Sequence, residues 1–242
     1  MQLHLYKEMA DLEDKHWWFT GRKKIIEQVL CCLPNTPVNN VLDIGFGTGG
    51  MCETLGKISR KIVAIEPSPA AVAFAREKCP QAEVWQGEIS NYPGTTFFDL
   101  VTMFDVLEHI SDDAAVLKMV YQKLKPGGHF VFTVPAYKFL WSRHDVAHQH
   151  FRRYSKNELH QLFTGNSHFL VERLTYFNTL FFPVVLLVRL MKAVIGGDGS
   201  DLTILPEPLN FFLGWFFGLE RYLLKFFDLP FGVSILCVAR KI

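Results

Sequence analysis

The run Val41-Leu42-Asp43-Ile44-Gly45-Phe46-Gly47-Thr48-Gly49-Gly50 limits this chain more than any other stretch of its 242 residues. Its apolar start reads as a buried parallel strand, and the closely spaced glycines read as the turn after it. Glycine suits that turn because the backbone must bend sharply and let a ligand approach with no Cβ in the way. The helix that follows would aim its first amides, and the positive end of its dipole, at the ligand. The spacing therefore predicts a site for a carboxylate, phosphate or ribose at the end of the first strand.

Gly45, Gly47 and Gly50 also satisfy the dinucleotide spacing G-x-G-x-x-G, and Glu66 follows a second apolar run, Ile62-Val63-Ala64-Ile65. A nicotinamide-dependent oxidoreductase would show the same features. Asp43 argues otherwise. Two residues before the first glycine, it would repel a pyrophosphate and attract an amino group. Four further motifs have no reason to occur in a dehydrogenase: Gly87-Glu88-Ile89, Phe98-Asp99-Leu100-Val101, Asp105-Val106-Leu107-Glu108-His109 and Leu124-Lys125-Pro126-Gly127-Gly128.

In that order, from residue 41 to 135, the series resembles the class I S-adenosylmethionine-dependent methyltransferases. The resemblance implies S-adenosylmethionine as cofactor and S-adenosylhomocysteine as product. Asp43, Gly45, Phe46, Gly47 and Gly49 would hold the methionine part, with Phe46 standing where the family often has a small residue. Glu66, followed by Pro67, would accept the ribose hydroxyls, since a carboxylate offers two adjacent acceptor oxygens. Gly87, Glu88 and Ile89 would flank the adenine, while Phe104, Asp105 and Val106 would form the floor near the sulfonium.

Alternating patterns predict strands at 41–44, 62–65, 83–86, 98–104, 129–134, near 169–176 and at 234–240. Helices are expected at 48–58, 69–78, 112–124 and from Ser155 to Phe163. The fold expected is α/β, a Rossmann-like, mostly parallel seven-stranded sheet with helices on both faces. Residues 1–40 would form a helical lid, 41–176 the cofactor-binding core, 177–232 an apolar helical insertion and 233–242 the closing strand. Ligands in such sheets bind at the carboxyl ends of the strands, where Asp43, Glu66, Glu88 and Asp105 all fall.

Transfer of a methyl group from a sulfonium needs mainly positioning and exclusion of water, with a general base when the acceptor must lose a proton. His109, His144 and His148 are the candidate bases, and His150 joins them as a further base or metal ligand. Asp105, Glu108 and His109 at i, i+3 and i+4 would share one side of a helical turn, where they could bind a divalent metal or simply cap the turn. A similar run carries Mg²⁺ in some ubiquinone-type O-methyltransferases. Trp17, Trp18, Arg22, Tyr137, Trp141, Arg152 and Tyr154 are the candidate acceptor-binding residues.

A formal net charge of +1 and the lack of a basic stripe disfavour nucleic acid as partner. The five cysteines show no C-x-x-C spacing and no disulfide-like pattern, and the amino terminus lacks the shape of a signal peptide. Both suggest a cytoplasmic protein. The 22 phenylalanines crowd the later chain, and between residues 177 and 231 they fall in four doublets. A stripe of Leu209, Phe212, Leu213, Phe216, Leu219, Leu223 and Phe227 suggests a second core or dimer face, or a cap for a lipid-like acceptor resting on a membrane surface. The activity expected is methyl transfer to an oxygen or nitrogen of a bulky, partly apolar small molecule. The alternatives are the oxidoreductase and a non-catalytic lipid-binding protein on the same fold.

Overall fold

The computed structural model describes residues 3–166, 169–195 and 205–242. Two helices, α1 (Leu3–Leu12) and α2 (Trp17–Cys31), precede the sheet. They are followed by β1 (Val38–Ile44), α3 (Cys52–Ile58), β2 (Ser59–Glu66), α4 (Pro69–Lys78), β3 (Ala82–Gln86), β4 (Phe98–Phe104), α5 (Asp113–Lys123) and β5 (Leu124–Pro135). The remainder comprises α6 (Arg143–Ala147), α7 (Lys156–Asn166), β6 (Phe169–Phe177), α8 (Phe182–Ile195), α9 (Glu207–Gly218), α10 (Glu220–Leu223) and β7 (Ser234–Lys241).

The seven strands lie in the order β3-β2-β1-β4-β5-β7-β6. Leu42 of β1 pairs in parallel with Val63 on one side and with Val101 on the other, all three buried. Such continuous apolar runs are what a sheet covered on both faces requires. β7 runs antiparallel between β5 and β6. The chain order reverses between β1 and β4, which opens a crevice at their carboxyl ends. That crevice locates the site.

Local signals hold at several boundaries. Ser68 caps α4, its hydroxyl accepting from the Ala71 amide, with Pro69 in the first helical turn. Elsewhere the structure departs from expectation. The expected helix at 48–58 starts only at Cys52, because Gly47 and Gly49 at positive φ keep the chain in a turn. Asp105 also has positive φ, and only Leu107–His109 forms a short 3₁₀ turn. Cys52 and Cys79 form a disulfide between the start of α3 and the end of α4, which corrects the expectation of none. Their separation of 27 residues leaves no local spacing to read.

In the apolar insertion the expected stripe is only in part the packed face. α9 packs on α2 through Gly214, Phe217 and Gly218, where a Cβ on Gly21 would lie 2.5 Å from the Phe217 ring. Glycines let the two backbones approach closely; of the stripe, Leu209, Phe212, Leu223 and Phe227 are exposed, while Leu213, Phe216 and Leu219 are half-buried. Among the described residues no helix is long and apolar enough to cross a membrane.

Candidate active site

The turn after β1 is shaped by close approach. Gly45 sits at φ +76°, and a Cβ there would lie 2.3 Å from Cγ2 of Val106, which follows β4. Phe46 is buried in the core and leaves the turn's outer edge to Gly47 and Gly49. Asp43, only 3% exposed, accepts a 2.7 Å hydrogen bond from the Thr102 hydroxyl. Burial pushes its carboxyl up to about 7, against the Thr102 hydrogen bond and the Arg22 charge, with Glu66 adding to the rise. A buried acid so balanced takes up an ammonium readily.

Glu66 ends β2 and is held by two amides, Gly47 N to Oε2 and Ser68 N to Oε1, each 2.9 Å. One carboxylate thus couples the glycine turn to the start of α4, and a carboxylate can accept further hydrogen bonds. Burial raises its pKa, with the two amides opposing. Gly87 donates its amide to the Glu66 carbonyl and Ile89 is buried, whereas Pro67 and Glu88 are exposed at the rim. These residues fit S-adenosylmethionine by their donor set: an acid for the amino group, a carboxylate for the ribose and a turn that excludes side chains.

The amino-terminal helices close this edge through contacts that nothing in the sequence announces. Buried Glu13 accepts from the Thr48 hydroxyl at 2.8 Å and from the Lys78 ammonium at 2.6 Å. Arg22, on α2, reaches Asp105 Oδ2 at 2.6 Å and the Thr133 hydroxyl at 2.9 Å, and that hydroxyl donates in turn to Asp105 Oδ1. The guanidinium carbon lies 5.2 Å from the Trp18 ring centre and 5.9 Å from that of Phe104. Its Nε has no hydrogen-bond partner.

This engagement removes Asp105 from the expected trio with Glu108 and His109. Instead Glu108, His109 and His150 converge, each offering a ligand atom within 4.8 Å of the others. Glu108 is fully buried, and neither oxygen meets a donor from another residue. Burial, then the Asp105 charge, pushes its carboxyl well above the usual range. Desolvation, then the neighbouring His150 and His148, pulls His109 down to about 4, so its imidazole is neutral near pH 7 and a weak base. His150 is oriented through Nδ1 by Asp145 at 3.0 Å. Burial works against ionisation of Asp145, yet hydrogen bonds from His150 and Arg153 hold its carboxyl well below the usual range. A buried carboxylate, a neutral imidazole and an oriented second imidazole suit a divalent cation.

Of the other candidates, His148 lies beside this group, its ring 6.1 Å from that of His150, and the side chain of His144 lies outside the described residues. Tyr137 stacks on Tyr176 at 5.1 Å and meets Phe182 at 5.8 Å, while Trp17 packs on Phe181 at 4.8 Å. Trp141 is exposed. Arg152 and Tyr154, expected at the acceptor, direct polar atoms to Asp113 at 2.8 and 3.0 Å and brace α5. Arg153 is committed to Asp145 in the same way.

Known proteins share this fold and parts of this sequence. The family model for a methyltransferase domain covers residues 17–167. A Mycobacterium tuberculosis protein named as an S-adenosylmethionine-dependent methyltransferase is 27% identical over 130 residues, 53% of this chain and 46% of its own length. The mitochondrial ubiquinone biosynthesis O-methyltransferase of Schizosaccharomyces pombe is 30% identical over 100 residues, 38% of this chain and 36% of that one. The chain spans about half the length of the first of these relatives. In fold it resembles the N-methyltransferase NodS of Bradyrhizobium japonicum, at TM-score 0.57 and 15% identity over 92% of this chain and 96% of that one. It also resembles the plantazolicin methyltransferase BpumL bound to S-adenosylhomocysteine, at TM-score 0.62 and 14% identity over 98% and 89%. The nicotinamide reading of the glycine spacing gains no support from these proteins. With its family model matched over more than half its length, its sheet order and its strand-end acids in place, the chain belongs to the class I S-adenosylmethionine-dependent methyltransferase family.

Proposed function

We propose that the chain transfers the methyl group of S-adenosylmethionine to a hydroxyl oxygen of a bulky, partly apolar small molecule. The bound cofactor supplies an electrophilic methyl on a sulfonium. Asp43 would ionise to take the ammonium, Glu66 would accept from the ribose, and the Gly45 turn would admit the methionine backbone. Phe104 and Val106 would wall the sulfonium, while Arg22 holds Asp105 in place beneath the acceptor. Trp17, Tyr137, Phe181 and Phe182 give the acceptor an aromatic surround and exclude water.

The observation that carries the choice of oxygen is buried Glu108, with both carboxylate oxygens unpartnered next to His109 and His150. A histidine base alone has no need of such a costly neighbour. Glu108, His109 and His150 would hold a divalent cation, whose chemistry there is to make an acceptor hydroxyl more acidic and to fix its direction. The O-methyltransferase name of the fission-yeast relative agrees with this reading.

The test incubates purified protein with isotope-labelled S-adenosylmethionine and a phenolic or quinol lipid extract, with and without a chelator, followed by mass spectrometry. The expected product carries an O-methyl group and disappears with chelation. Labelling only of amines, or labelling insensitive to the chelator, refutes the oxygen-and-cation reading.

A further inference from the structure

The elements after β6 leave large apolar side chains in solvent. On α8, Val184, Leu187, Val188, Leu190 and Met191 are exposed. Arg189 on the same helix turns back toward the core, donating to the Leu140 carbonyl at 2.8 Å and lying 3.7 Å from Asp145. The outward side of α8 is therefore hydrocarbon along its described side chains. On α9, Phe211, Phe212 and Trp215 stand out, since its glycine face is used against α2. Phe226 and Phe227, after α10, are 77% and 66% exposed. Scattered single exposures need no explanation, but runs of them within α8, within α9 and at the Phe226–Phe227 tip do.

Two cations, Arg221 and Lys225, precede the Phe226–Phe227 tip, and the carboxylate that follows it, Asp228, is ion-paired with Arg173 at 2.7 Å. Arg221 donates to the Tyr222 hydroxyl at 2.7 Å, and the Lys225 ammonium lies 5.9 Å from the Tyr222 ring. Among the described residues both cations contact Tyr222, and neither is ion-paired with a carboxylate. Exposed aromatic side chains with cations a few residues away in the chain complement the two layers of a lipid leaflet, hydrocarbon and phosphate. Over its 14 described residues α8 runs about 21 Å, shorter than a bilayer-spanning helix and suited to lying in a membrane surface. The face is also continuous with the acceptor side, because Phe181 and Phe182 at the start of α8 pack on Trp17 and Tyr137.

We propose that α8, α9 and the Phe226–Phe227 tip seat the chain on one leaflet of a bilayer bearing anionic phospholipid, so that an apolar acceptor reaches the site directly from the lipid. The route of the acceptor rests on the methyl-transfer reading above, whereas the docking does not.

The test is co-sedimentation of the full chain with phosphatidylcholine vesicles, with and without phosphatidylglycerol. Partition is expected on both, and more strongly on the anionic ones. Replacing Arg221→Gln and Lys225→Gln together should lower partition on anionic vesicles about 25-fold, from roughly fivefold per cation, and leave neutral vesicles unaffected. Phe226→Ser with Phe227→Ser should lower partition on both. A thermal shift by S-adenosylhomocysteine in every variant reports an intact fold; its loss in the wild type would count against the methyltransferase reading and leave the docking result standing. The proposal is overturned if the wild type ignores both vesicle types, whether as a monomer or as a dimer that the phenylalanine pair variant splits in light scattering. It is equally overturned if that variant partitions like the wild type.

Discussion

Replacing Asp43→Asn should stabilise the empty protein and weaken its hold on the cofactor, two effects of opposite sign from one atom. In the fold the Asp43 carboxyl rises from 3.8 to about 7, chiefly through burial. A raised pKa means that the folded state holds the proton more tightly than the unfolded chain. Its stabilising contribution is thus complete below about pH 4 and is lost as the pH climbs toward 7. The gap is about 3 units, or about 4 kcal/mol at roughly 1.4 kcal/mol per unit. Asparagine keeps an acceptor for the Thr102 hydroxyl but does not titrate, and its unpartnered amide hydrogens cost part of the gain. A net gain of about 2–3 kcal/mol at pH 8 corresponds to a Tm about 5–10 °C above the wild type, shrinking toward pH 5. Loss of the carboxylate facing the ligand's ammonium should weaken S-adenosylhomocysteine binding about 10–100-fold. Calorimetry in buffers of different ionisation heat should show the wild type releasing a proton on binding at pH 6, and the variant releasing none from this site. Parallel Tm curves for the two proteins between pH 5 and pH 8 would refute the reasoning.

Glu66→Ala removes both the brace between Gly47 and Ser68 and the expected ribose acceptor, so S-adenosylhomocysteine affinity by calorimetry should fall about 10–100-fold; equal affinity would remove Glu66 from the site. Gly45→Ala forces a methyl to 2.3 Å from Val106 at φ +76°, which should cost about 2–4 kcal/mol in denaturant melts. Adding Val106→Ala should return only the steric part, and full recovery would show that the positive φ carries no cost. Manganese at a hundredfold excess over its Kd should raise the wild-type Tm by about 5–10 °C, and Glu108→Gln should abolish that rise; a shift surviving in the variant places the cation elsewhere.

The cofactor half of the site was legible because its determinants are local. Gly45, Gly47 and Asp43 lie within five residues of one another, and each strand-end acid follows its own apolar run. The mostly parallel sheet followed from the same alternation, since parallel strands need helical crossovers, whereas the strand order did not. The acceptor half was not legible in the same way. Arg22 meets Thr133 across 111 residues of sequence, and Glu13 meets Thr48 across 35. His150 joins His109 only because the loop after β5 folds back and its Phe151 amide bonds the Glu108 carbonyl. Nor does periodicity reveal which side of α9 packs, because beyond Glu207 and Asn210 the helix is apolar all round. The choice was made by glycines at 21, 214 and 218, whose effect depends on a partner distant in sequence.

These long-range contacts solve a problem set by the strand ends, where Asp43, Glu66, Asp105 and Glu108 crowd one edge. Unscreened, four carboxylates would repel one another and destabilise the fold. Each is relieved differently: Asp43 by a raised pKa, Glu66 by two amides, Asp105 by Arg22 and Glu108 by a strongly raised pKa. The first and last of these remedies leave an acid that ionises when a cation arrives, an ammonium in one case and a divalent ion in the other. Glu66 and Asp105 are instead held by direct contacts, two amides in one case and a guanidinium in the other. Acids that hold a proton until a cation arrives would allow an empty site to remain folded and a filled one to gain its charge from what it holds.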